Sequence, residues 1–230
     1  MLLYRIHLNP RCKLARSDLA DPYQMHATLC RVFTPPETPC PPGALLWRLE
    51  PETDAQGRPR VLIQSRTGPD WFRLRDPDWL AGADPGVDLV RALSLDSLAS
   101  GQSFRFRLRA NPCKTTQGKR TGLVQPDAQR VWLMRKGEQH GFALRRTKTP
   151  GEAELAVSLG GRSYPNVRLS QDQILLGRRH DSTAIRVFSV LFDGLLTVSD
   201  AGKFRAAIAS GIGHGKVMGL GLLSVAPLLS

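Results

Sequence analysis

Five glycines fall in the segment Gly211-Ile-Gly-His-Gly-Lys-Val-Met-Gly-Leu-Gly-Leu-Leu223, and they limit what the end of this chain can build. Glycine at that density marks a backbone that enters positive φ and lets another backbone, or a phosphate, come close. A Walker loop needs Ser or Thr after its lysine, and Val217 stands after Lys216. A dinucleotide fingerprint runs from strand to helix with more βαβ sequence beyond it. Here the order is reversed. Asp200 to Ser210 predicts a helix with Asp200 as its N-cap and Phe204, Ala207 and Ile208 as its apolar stripe, and Gly219 to Ala226 predicts a terminal strand. Two readings of the loop are open: a glycine-rich helix end with no ligand, or a phosphate contact around Lys216.

The charge balance favours the second. Lys and Arg outnumber Asp and Glu by 32 to 20, for a formal net charge of +12 in 230 residues. Such an excess suits a polyanionic partner, with nucleic acid ahead of a membrane surface. No apolar run approaches the length of a membrane span, and no signal peptide is visible. The four cysteines, Cys12, Cys30, Cys40 and Cys113, include no CxxC pair. Neither a zinc site nor a disulfide framework is expected, and a reducing cytoplasm is the default compartment. His26 and Cys30 stand four apart on a predicted helix as half of a metal site, with no second half in view.

Leu2 to Leu8 predicts a buried strand ending at Asn9-Pro10, followed by a basic polar connection from Arg11 to Arg16. Asp21-Pro22 opens a helix that runs to about Phe33 and stops before Pro35-Pro36. Met25, Leu29, Val32 and Phe33 form its packing face. Tyr23 and His26 then lie on the flank and far side, about 60° apart at 100° per residue, reaching one point in solvent near a helix N-terminus that favours anions. Leu45 to Glu50 and Arg60 to Ser65 read as strands, Thr67 to Gly86 as irregular, and Val87 to Leu93 as a short helix.

After Gly101 the pattern restarts. Ser103 to Ala110 alternates Phe104, Phe106 and Leu108 with Arg105, Arg107 and Arg109, a half-buried strand with one cationic face. Cys113 to Gly122 has no large apolar residue and carries Lys114, Lys119 and Arg120 around Gly118, so it should project into solvent. Asp127 to Lys136 predicts a helix with Val131, Trp132 and Arg135 near one side. Phe142 to Thr147, Glu154 to Leu159 and Ala184 to Leu191 predict strands, and an Asp193-Gly194 turn leads to Leu195 to Ser199. The element order suggests two βαββαβ units, without a residue-level repeat between them.

Three segments in this order, Asp21-Pro-Tyr-Gln-Met-His26, Phe106-Arg-Leu-Arg-Ala-Asn-Pro112 and the glycine loop, resemble the CasE family, CRISPR-associated endoribonucleases that process precursor guide RNA in type I-E systems. The resemblance implies an α+β fold of two tandem ferredoxin-like (RRM-like) domains, residues 1–97 with the catalytic helix and 98–230 with a basic hairpin and the glycine loop. It implies His26 as the main catalytic residue, Tyr23 as helper and Arg31 as a nearby cation. The hairpin from Arg109 to Arg120 (Arg109, Lys114, Lys119, Arg120), the pair Arg178-Arg179 and Lys216 would hold RNA. The implied partners are the CRISPR repeat stem-loop, as precursor and mature crRNA, and the other protein subunits of a Cascade-type complex.

The residues bear on mechanism independently. Two-metal hydrolysis needs converging carboxylates, and the acids here are scattered through turns and helix starts. Attack by the RNA's own 2′-hydroxyl needs only a proton acceptor, a proton donor and cations on the phosphorane, and histidine suits proton transfer near neutral pH. Neither metal nor cofactor is then required. The other reading of His26 is a solvent-facing helix residue with no role, in a non-catalytic RNA-binding subunit. His7, His140, His180 and His214 are weaker candidates: His7 on a strand, His140 at a helix end, and the last two in loops.

Overall fold

The computed structural model describes residues 1–37, 40–41, 43–145, 165, 167–178 and 183–228. Its first half is an antiparallel sheet in the order β2-β3-β1-β4, made by β1 (Leu2–Leu8), β2 (Leu45–Leu49), β3 (Arg60–Ser65) and β4 (Leu80–Ala83), with β5 (Val87–Asp88) also paired to β1. Helices α1 (Lys13–Ala20) and α2 (Pro22–Phe33) connect β1 to β2. Ile6, Leu8, Val61 and Ile63 from the sheet close on Met25, Leu29 and Val32 of α2. Each such side chain contributes about 1.5–3 kcal/mol when fully buried.

The second half repeats the order as β10-β11-β6-β12, from β6 (Ser103–Ala110), β10 (Val167–Arg178), β11 (Ala184–Val198) and β12 (Leu223–Pro227). A hairpin of β7 (Cys113–Thr116) and β8 (Lys119–Gly122) stands apart, and β9 (Phe142–Leu144) pairs with β11. Helices α4 (Pro126–Gln139) and α5 (Ala201–Ser210) cover the sheet, and a short α3 (Leu89–Ala92) lies between the halves. Phe104, Phe106, Leu108, Trp132, Phe192 and Phe204 centre this second core. Each half thus has the strand order of a ferredoxin-like unit, and the fold is α+β with two of them in tandem.

Several elements depart from the expectations. The connection after β1 is helix α1, drawn in because Ala15 and Asp18 are buried and Asp18 accepts a hydrogen bond from Trp79 Nε1 at 2.9 Å. The stretch from Thr67 to Gly86, expected to be irregular, contains strand β4, and the short helix comes after that strand at Leu89–Ala92. On α4 the packed residues are Gln129, Trp132, Leu133 and Gly137, while Val131 is exposed. Asp193-Gly194 is not a turn. Asp193 pairs across the ladder with Arg107, whose Nε donates to it at 2.7 Å, and β11 runs straight through. Strand β10 was unexpected, since its centre is polar and Ile174 and Leu176 point outward at the sheet edge. The predicted strand from Glu154 to Leu159 lies outside the described residues. No helix among the described residues is long and apolar enough to cross a membrane.

The two halves meet along β2. Arg48, 1% exposed, donates to the carbonyls of Arg107 and Leu222, both at 3.1 Å, and to Glu50 at 2.8 Å. The glycine loop completes the seam. Gly211 has φ +73° and Gly219 φ +75°, and a Cβ at Gly219 would meet the Trp47 ring at 2.9 Å. Glycine there meets both the backbone angle and the close approach.

Candidate active site and nucleic-acid interface

Helix α2 starts where the sequence predicts because Asp21 caps it. Its Oδ1 accepts from the Tyr23 amide at 2.9 Å and the Gln24 amide at 3.4 Å, and Pro22 fits the first turn. Oδ2 accepts from the Arg178 amide at 3.2 Å. These two first-turn amides are already engaged, so side chains must supply the contacts to any phosphate beside them. Gly177 extends the junction: a Cβ there would meet Met218 Cε at 2.9 Å and Asp21 Oδ1 at 3.2 Å. The start of α2, the end of β10 and the glycine loop therefore converge.

His26 is half-buried, not on a solvent-facing flank. Its Nε2 lies 3.4 Å from Cys30 Sγ, and Nδ1 is buried without a hydrogen-bond partner. Burial pushes the imidazole down to about 4, so it is neutral at neutral pH. Tyr23 is also half-buried, one turn before His26. Arg31, in the last turn, is lowered by burial and then by the charges of Arg75 and Arg73, while Asp18 opposes the shift. Arg73 donates to the Thr34 carbonyl, and the neighbouring Phe72 is fully exposed. Arg73, Arg75 and Phe72 escaped the sequence reading. The run Trp71-Phe-Arg-Leu-Arg75, aromatic and basic within an otherwise acidic turn region, was the available signal.

The basic hairpin forms as expected. Gln117 at φ +50° and Gly118 at φ +75° make its turn, and Lys114, Lys119 and Arg120 are exposed. Arg109 is not part of it. It is 6% exposed in β6, donates through Nη2 to Gln171, and leaves Nε and Nη1 without partners. It lines a cleft of about 590 Å³ between the halves, together with Asp18, Trp47, Gln173 and Met218. Arg178 is exposed at the end of β10, and Arg179 and His180 lie outside the described residues.

Lys216 sits in a 3-10 turn of the glycine loop. His214 is lowered by burial and then by Arg120, Lys136 and Lys216, and His140 by burial and then by Lys136 and Lys216. Hairpin, α4 and glycine loop thus combine into one cationic cluster. His7 has a different role, its Nδ1 lying 2.9 Å from Asp54 Oδ2.

Among the described residues the metal-capable side chains that converge in a group of three are His26, Cys30 and Cys40, their ligand atoms within 4.8 Å of one another. The Cys30–Cys40 hydrogen bond, with burial, pushes the Cys30 thiol up, and the same bond lowers Cys40.

A family model described as CRISPR associated protein matches residues 1–227. The chain is 39% identical to the CRISPR-associated endoribonuclease Cse3 of Thermus thermophilus, over 99% of this chain and 100% of that one. It is 29% identical to the CRISPR system Cascade subunit CasE of Escherichia coli, over 94% and 96%. Among solved structures, the CRISPR endoribonuclease Cse3 bound to 19 nt RNA superposes with a TM-score of 0.79 at 37% identity, covering 99% of this chain and 100% of the other.

Proposed function

The chain belongs to the CasE (Cse3) family of CRISPR-associated proteins, and from that premise we propose that it is the endoribonuclease that cuts CRISPR precursor RNA at the base of the repeat stem-loop. It keeps the product crRNA and serves as a subunit of a type I-E surveillance complex, beside the other Cascade proteins. Residues 1–97 form the domain with the catalytic helix, and 98–230 the domain that seats the stem. The compartment inferred for it is a reducing cytoplasm, the default for a chain without a disulfide framework in its cysteine spacing.

The observation that carries the reading is a half-buried His26 on the helix whose N-terminus meets β10 and the glycine loop. The stem lies against Lys114, Lys119, Arg120 and Lys216, held mainly through phosphates, because the A-form major groove is too narrow for side-chain readout. Arg178 continues that track to the start of α2, and Arg109 supplies charge from the cleft. The scissile phosphate then reaches His26 and Tyr23.

His26 accepts the proton of the 2′-hydroxyl as that oxygen attacks the adjacent phosphorus. Arg31 offsets the charge that builds on the phosphorane. The P–O5′ bond breaks, the leaving oxygen takes a proton from Tyr23 or from the histidine, and the products are a 2′,3′-cyclic phosphate and a 5′-hydroxyl. No step needs a metal. The converging donor set in the site holds nitrogen and sulfur, and magnesium takes oxygen ligands. Cleavage of a repeat transcript in excess EDTA, with the ends analysed, tests this. A cyclic phosphate end is expected, and activity that disappears with chelator and returns with magnesium would refute the mechanism.

A further inference from the structure

The sequence shows half a metal site on α2, and the fold supplies the rest. Helix α2 places His26 and Cys30 one turn apart on the same side, the geometry of an i, i+4 ligand pair. The helix ends before Pro35-Pro36, and Cys40 beyond it lies beside His26 and Cys30. All three ligand atoms lie within 4.8 Å of one another. A tetrahedral zinc with Zn–S near 2.3 Å and Zn–N near 2.0–2.1 Å sets sulfur and nitrogen about 3.5 Å apart. The separation of His26 Nε2 and Cys30 Sγ is 3.4 Å. We propose that His26, Cys30 and Cys40 bind a zinc ion, and that the bound ion holds the enzyme inactive.

The donor chemistry selects the ion. One imidazole and two thiolates suit zinc, whereas magnesium and calcium require oxygen ligands. Binding releases the two thiol protons and changes no oxidation state. The two thiolates cancel the charge of the ion, so the complex as a whole is neutral in a half-buried position. Three protein ligands leave one tetrahedral position for water or a phosphate oxygen. Zinc on Nε2 occupies the lone pair that would accept the 2′-hydroxyl proton, and the remaining nitrogen, Nδ1, is buried without a partner. The site itself does not depend on the proposed function, but the inhibition does, because it requires His26 to be the proton acceptor.

The test uses the full chain, stripped with chelator and kept reduced, and cobalt(II) as a spectroscopic probe. The expected result is one cobalt per chain, with thiolate-to-cobalt charge-transfer absorption that zinc abolishes. One equivalent of zinc should slow repeat RNA cleavage by about 10²-fold or more, the worth of a proton-transfer group. Chelator should restore the rate, and equimolar magnesium should leave it unchanged. Cys40→Ser should retain basal cleavage, bind cobalt at least about tenfold more weakly and lose its zinc sensitivity. Cys113→Ser, altering a cysteine outside the cluster, should match wild type throughout. Absence of the charge-transfer band, or equal zinc sensitivity in Cys40→Ser, would overturn the proposal. Cobalt bound through thiolates on a chain that never cleaves RNA would support the site and overturn the functional reading instead.

Discussion

Arg48→Met removes the cation at the seam between the two halves, and its cost follows from its partners. The guanidinium is 1% exposed and donates to Glu50 and to the carbonyls of Arg107 and Leu222, so the substitution takes away a charge and three hydrogen bonds, the one to Leu222 fully buried. Breaking a buried ion pair by deleting one partner costs about 3–5 kcal/mol. Glu50 still keeps Arg107 Nη1 at 2.9 Å, so its carboxylate is not left alone. That places the expected loss at the lower end, about 3 kcal/mol. With a urea m-value of about 1–3 kcal/mol/M, the midpoint should fall by at least about 1 M. The assay is urea unfolding followed by tryptophan fluorescence and far-UV circular dichroism. Combining Arg48→Met with Glu50→Gln should cost less than the sum of the two single changes by at least about 0.5 kcal/mol, because both act on one network. A loss of under about 0.5 kcal/mol for Arg48→Met, as at an ordinary surface site, would mean that the buried guanidinium does not hold the seam.

Replacing Lys114, Lys119 and Arg120 together by Ala should flatten the salt dependence of RNA affinity by about 0.7–0.9 in log-log slope for each phosphate left unneutralised, and an unchanged slope would leave the hairpin as solvated surface. Gly219→Ala should destabilise the fold by about 1–2 kcal/mol through its left-handed backbone, besides pressing on the Trp47 ring, which thermal unfolding would register as a lower Tm.

How much was legible in the sequence varied with the kind of signal. Asp21-Pro22, the apolar stripe of α2, the alternation in β6 and the positive-φ glycines were readable because each follows from local backbone or periodicity rules. Strand β10 was not, since an edge strand needs no apolar alternation and its inner face carries little beyond Val167 and Gly177. Asp193-Gly194 has strong turn chemistry, but its pairing with Arg107 and Phe106 in the ladder prevails. For the site, sequence spacing put Tyr23 and His26 on one helix, as observed. It could not show that His26 would be half-buried against Cys30, or that Cys40 would return to the same helix, because both depend on a loop path that no periodicity encodes. The family resemblance implies that Arg109 belongs to the basic hairpin. Burial between the halves decided otherwise.

His26→Ala, assayed in the presence of chelator, separates proton transfer by His26 from RNA binding by other residues. Single-turnover cleavage and stem-loop affinity would be measured on the same preparation. Cleavage should slow by about 10²- to 10⁴-fold. Affinity should stay within a few-fold of wild type, since the phosphate contacts proposed above lie on the hairpin and the glycine loop. Cleavage at the wild-type rate, or binding and cleavage lost in parallel, would mean that His26 is not the proton-transfer group.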